Sequence, residues 1–192
     1  MCVNETGLRV RLRSSARFIL AAGALAASFA MICDPPTATA KVMQAGFTLP
    51  TKADRILVLK SARKLELLKD GVVVKTYPIA LGGNPIGPKR IAGDSKTPEG
   101  LYYIDGRQPH SRYYLALHIS YPNAADRDTA TAAHLDPGGD IEIHGLPDWY
   151  AGPLNPVRFP KDWTHGCISV GDRAMAEIYR AVDIGTPIEI RP

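Results

Sequence analysis

From residue 55 onward, short apolar runs alternate with turn-forming residues, the pattern of a β domain. Residues 55–60 (Arg-Ile-Leu-Val-Leu-Lys) read as a first strand, apolar enough to lie inside a sheet. Residues 64–69 and 72–77 flank Asp70-Gly71. Asp-Gly between two β-rich runs predicts a two-residue hairpin, because both turn positions need positive φ. Residues 81–88 hold too much Gly and Pro for a strand and predict a loop. Thr97-Pro-Glu-Gly100 suits a type I turn, with Pro second and Gly fourth. It launches strands expected at 101–105 and 113–119. Asp140-Ile-Glu-Ile-His144 alternates as a half-buried strand does, with Ile141 and Ile143 on one face and Glu142 and His144 on the other.

Two stretches predict helices. Residues 123–133 are polar and alanine-rich, which suits a short surface helix. Met175, Ile178, Tyr179 and Val182 recur at helical spacing behind Asp172, a good N-cap, and Gly185 falls just past the end. Residues 186–191 close the chain as an expected edge strand, where Pro187 is tolerated. Between Gly145 and Trp163 run 19 residues rich in Pro and aromatics. A connection of that length without its own elements reads as a functional lid. The fold class expected is mainly β, an antiparallel sandwich or barrel with one or two short helices.

Composition changes the picture at the N-terminus. Arg9, Arg11, Arg13 and Arg17 precede an apolar stretch at 18–32, and Ala38-Thr39-Ala40 offers small residues where a signal peptidase cleaves. Fifteen apolar residues are short for a membrane span, which needs roughly 20. The expected organisation is a signal peptide at 1–40, a linker at 41–54 and a catalytic domain at 55–192, with no stable membrane span after cleavage. A lipoprotein reading through Cys33 is weakened by the bulky Ile32 before it. Removing the leader leaves 19 basic and 17 acidic residues. That balance, without a basic cluster interleaved with aromatics, gives no reason to expect nucleic acid as a partner. It also leaves Cys167 as the one cysteine, so an exported protein would carry a free thiol rather than a disulfide framework.

That thiol sits in Thr164-His165-Gly166-Cys167, and His144-Gly145 closes the strand 23 positions upstream of it. An unassisted thiol is mostly protonated at neutral pH and becomes a nucleophile when a histidine or a helix N-terminus favours the thiolate. His144 can face the sulfur from a neighbouring strand. His165, two residues from Cys167, points the same way and approaches poorly, so His144 is the preferred base and His165 an orienting residue. Gly166 clears space for backbone amides to donate to an oxyanion. A buried, inert cysteine is the bland alternative. Zinc held by His144, His165 and Cys167 is the rival, but no recognised ligand spacing accompanies it, so neither metal nor cofactor is expected. His110, His118 and His134 show no partner in sequence, and the 82–88 loop lacks a phosphate-binding Lys-Ser/Thr ending.

His144-Gly145, a long interval and Thr164-His165-Gly166-Cys167 resemble the signature of YkuD-type L,D-transpeptidases. Residues 60–71, 96–100, 117–123 and 139–145 look like the YafK/ErfK branch, and the likeness covers about 55–192. The resemblance implies an exported enzyme of the periplasm or cell envelope acting on peptidoglycan stem peptides. It implies a thioester at Cys167, release of terminal D-alanine, and acyl transfer to a diaminopimelate amine, a lipoprotein lysine or water. By the same resemblance His144 carries protons, the backbone of His165, Gly166 and Cys167 forms the oxyanion hole, and the Gly145 carbonyl orients His144. A hydrolase of the same fold and a non-catalytic wall-binding module are the alternatives. Two features depart from the pattern: Ser169 stands where Asn or Arg is usual, and the His144–His165 interval is longer.

Overall fold

The computed structural model describes residues 52–150 and 161–192. Its elements are β1 (Arg55–Leu59), β2 (Lys64–Lys69), β3 (Val72–Pro78), β4 (Gly100–Ser111), β5 (Tyr114–Ile119), α1 (Ala124–Ala132), β6 (Glu142–His144), β7 (Ile168–Ser169), α2 (Asp172–Ala181) and β8 (Pro187–Arg191). The strands form one sheet in the order β3-β2-β1-β8-β4-β5-β6-β7. The domain is therefore mainly β with two helices. The expectation of an antiparallel sheet is corrected at two places, because β1 pairs with β8 and β6 with β7 in parallel.

The β2–β3 turn forms as predicted, with φ of 51° at Asp70 and 77° at Gly71. Asn123 caps α1 in a capping box with Asp126, which satisfies two otherwise orphaned N–H groups. β4 runs well beyond the five residues expected. Its first half pairs with β8, its second with β5, and a bulge between Ile104 and Gly106 marks the change. The second half is largely solvent-facing and contains Pro109, so hydrophobic periodicity gives no strand signal there.

Three other expectations change. β8 is not an edge strand: it lies between β1 and β4. Pro187 fits because it is the first residue of the strand, where a missing N–H is tolerated, while Ile188 and Ile190 enter the core. Asp172 is not the N-cap of α2; Gly171 is, and the Asp172 carboxylate accepts the Leu146 N–H at 2.8 Å. Packing also begins before the expected first strand. Ala53 is buried and its N–H donates to Ala181 O at 2.9 Å, while Asp54 N–H reaches Leu68 O. The leader at 1–40 and most of the 41–54 linker lie outside the described residues. Among those described, no helix is long and apolar enough to cross a membrane.

The core collects the inward positions of both halves of the sheet, including Ile56, Val58, Leu65, Ile104, Leu117, Ile143 and Ile188. The apolar stripe of α2, Met175, Ile178 and Ala181, is buried with them. Each of the Ile, Val, Leu and Met side chains among them contributes about 1.5–3 kcal/mol through burial. The arrangement holds β6 and β7 side by side, where the two His-Gly segments meet.

Candidate active site

The turn from Thr164 to Cys167 is built by one hydroxyl. Thr164 Oγ1 donates to Cys167 O at 2.7 Å and accepts the Gly166 N–H at 3.1 Å. Gly166 has φ of +134°, a region that favours glycine, and a Cβ there would lie 2.7 Å from Lys96 O. The site thus requires glycine for two independent reasons. The same turn leaves His165 exposed and Cys167 partly covered. With the Gly166 amide engaged, the amides of His165 and Cys167 remain as candidate oxyanion donors.

His144 ends β6 and is 2% exposed. Its Nδ1 lies 2.7 Å from Gly145 O. A carbonyl only accepts, so Nδ1 carries the proton and Nε2 keeps its lone pair. The ring stacks on Tyr113 at 4.5 Å between centroids and meets Trp163 edge-on at 5.8 Å. This burial pushes the imidazole pKa down, a shift partly offset by the bond to Gly145, so the ring is neutral at neutral pH.

Gly145 is itself fixed. Its N–H donates to Tyr113 O at 3.0 Å, and a Cβ would fall 2.6 Å from Asp172 Oδ1. The Ser169 hydroxyl, fully buried, donates to the same Gly145 carbonyl at 3.3 Å. Ser169 therefore supplies a polar contact at the position where the sequence departs from the usual pattern.

Register places His144 opposite Ser169, so Cys167 sits on the adjoining segment, on the same face of the sheet. The sulfhydryl donates to Asp140 O at 3.5 Å, and no hydrogen bond joins it to His144 among the described residues. Burial pushes the thiol up to about 11, against a contribution from the Glu142 amide that lowers it. The resting pair is a neutral thiol and a neutral imidazole, not an ion pair.

The 82–99 loop supports this turn from behind. A Cβ on Gly82 would clash with Ser95 O and lie 3.1 Å from the Gly166 Cα, so the two glycines pack backbone to backbone. Lys60, 2% exposed, anchors the loop by donating to Gly87 O at 2.7 Å, Thr97 O at 2.9 Å and Glu99 Oε1 at 2.7 Å. Arg63 grips Asp162 with two parallel bonds of 2.8 and 2.7 Å, fixing the chain where it enters the Thr164 turn. Of the 145–163 connection, residues 151–160 lie outside the described residues. The zinc alternative would need His144, His165 and Cys167 to converge, yet His165 is exposed while His144 is buried with Nδ1 engaged. Among the described residues, no three His, Cys, Asp or Glu side chains are grouped to hold a metal.

The profile of the YkuD L,D-transpeptidase catalytic domain matches residues 53–190, almost the whole described fold. The chain belongs to this family. A putative L,D-transpeptidase YafK of Escherichia coli K12 is 40% identical over 96 residues, 47% of this chain and 37% of that protein. A putative L,D-transpeptidase YkuD of Bacillus licheniformis is 29% identical over 143 residues, 72% of this chain and 66% of that protein. The chain thus spans only part of the length of these relatives. The crystal structure of the helical cell shape determining protein Pgp2 from Campylobacter jejuni shares the fold, with a TM-score of 0.57 and 24% identity over 73% of this chain and 48% of that one.

Within this YkuD domain, sequence reasoning did not find Lys60, Arg63, Asp162, Thr164 or Ser169 as supports of the site. A basic residue amid apolar neighbours, as at Lys60, was the one available signal. His118, which shows no partner in sequence, pairs at the surface with Asp105, whose Oδ1 lies 2.5 Å from Nδ1.

Proposed function

We propose that this YkuD domain is an exported cysteine L,D-transpeptidase of the cell envelope, acting on peptidoglycan stem peptides after removal of residues 1–40. Cys167 is the nucleophile and His144 carries its proton. The observation that carries this reading is the buried imidazole with Nδ1–H held by Gly145 O, which leaves a basic Nε2 on the face that bears the only mature thiol.

The resting thiol turns from Asp140 O toward His144 and gives its proton to Nε2 as sulfur attacks the carbonyl of a tetrapeptide stem. Proton transfer coupled to attack suits a thiol that does not ionise alone near neutral pH. The His165 and Cys167 amides receive the developing oxyanion, an effect worth about 3–4 kcal/mol per donor in comparable sites. The imidazolium protonates the departing D-alanine amine, leaving a thioester. A diaminopimelate or lysine amine then takes the acyl group and restores the thiol; a lipoprotein side chain can supply that lysine.

Incubation of the mature domain with disaccharide-tetrapeptide is expected to give a Cys167 adduct with loss of alanine by mass spectrometry, absent from Cys167→Ala. No adduct and no difference between the two proteins would overturn the assignment. Hydrolysis that outcompetes every offered amine would instead mark a hydrolase of the same fold.

A further inference from the structure

The acyl-transfer reading leaves one carboxylate beside the nucleophile unexplained. On the face of the sheet that carries the site, Gly106 pairs with His118 and His118 with Glu142. The Ile143–Ile168 pairing extends this row to Cys167. Glu142 is therefore one strand spacing, about 5 Å between backbones, from the nucleophile's strand and two residues from His144. Gln108 Nε2 fixes its Oε1 at 2.6 Å, while Oε2 takes no hydrogen bond from the described residues.

In the free protein this carboxylate works against the chemistry. Its charge adds to burial in holding the thiol protonated. Burial also raises the pKa of Glu142 itself, against the nearby His118, and among the described residues no lysine or arginine forms an ion pair with it. The arrangement makes sense once a cation arrives with substrate. The attacking amine is an ammonium at neutral pH, with a pKa near 10 for a lysine-like group, and must lose a proton beside the thioester before it can attack.

We propose that Glu142 receives the ammonium group of the acyl acceptor and so directs the thioester toward amines rather than water. This rests on the acyl-transfer reading above. The ammonium hydrogen-bonds to the free carboxylate oxygen and passes it one proton. The neutral nitrogen attacks the thioester carbon, a C–N bond forms, and the C–S bond breaks with its electron pair on sulfur. His144 takes the second proton from nitrogen and returns it to sulfur, while Glu142 releases its proton to solvent. Water carries no charge for Glu142 to hold and gains nothing from it.

The test compares wild type with Glu142→Gln, which keeps shape but not charge. Each protein is acylated with disaccharide-tetrapeptide and chased with meso-diaminopimelate, and amide and hydrolysis products are quantified. The amide-to-acid ratio is expected to fall about fivefold, the size of a part-exposed ion pair, while acylation speeds up with one negative charge removed from the sulfur. An unchanged ratio overturns the proposal, as does an equal fall in both products, which would make Glu142 a base for any acceptor. A second arm needs no turnover: diaminopimelate is titrated into Cys167→Ala with and without Glu142→Gln. Weaker binding by the double variant supports the proposal and equal binding overturns it. Absence of a Cys167 adduct in wild type would defeat the acyl-transfer reading separately and leave the titration to decide on Glu142.

Discussion

His144 and Cys167 share an unusual state: burial pushes one pKa down and the other up, so both are uncharged through the neutral range. On the proposed mechanism, acylation needs the neutral imidazole. Its acid limb is expected below pH 6.5, with a plateau from there to about pH 9, in single-turnover acylation. A limb above pH 7 would argue that another group is the base. Stability follows the same two groups. Below pH 6.5 the unfolded chain protonates His144 while the folded one resists, so stability falls as pH falls through that value. Above pH 9 the unfolded thiol ionises while the folded one holds its proton to about 11, so stability falls as pH rises through that window. Urea unfolding of Cys167→Ala should lack the thiol's share of the alkaline decline. At Gly166, substitution by Ala meets both a forbidden φ and the Lys96 carbonyl. A cost of about 1–3 kcal/mol from backbone conformation alone is expected, read from the urea midpoint, together with loss of adduct formation.

At the scale of elements, the site is a two-residue strand and a turn held by a loop that contains no strand of its own. Lys60 is what ties that loop down. Lys60→Ala would leave two carbonyls and the Glu99 carboxylate without their donor, at a cost of about 3 kcal/mol. The same variant should slow acylation, because the loop backs Gly166 through Lys96 O and Gly82. Wild-type stability in Lys60→Ala would refute this anchoring role. Much of this level was legible beforehand. Asp-Gly fixes its hairpin because the turn geometry is local, and α2 shows its stripe because one face is buried. β7 was not legible, since two residues cannot display a period. Nor was the pairing of β8, which depends on which strands leave a gap rather than on anything within 187–191. The sequence marks Thr164 and Ser169 by position in the motif but not by the partners of their hydroxyls, which are backbone atoms across the turn or far along the chain, invisible to side-chain patterns. The pair of His-Gly segments was visible because glycine beside histidine marks crowding that sequence alone can suggest.

Across the whole molecule, the sheet consists of two groups of strands, β3-β2-β1 on one side and β4-β5-β6-β7 on the other. They are joined by β8, which pairs with β1 on one edge and β4 on the other, and again where Ala80, just past β3, bridges to Ser169 of β7. The five-residue β8 thus fills the gap between β1 and β4. Until β8 is placed, the facing edges of β1 and β4 carry unpaired N–H and C=O groups. Closing that gap brings together residues more than 80 positions apart, a long-range pairing of the kind that makes β topologies slow to fold.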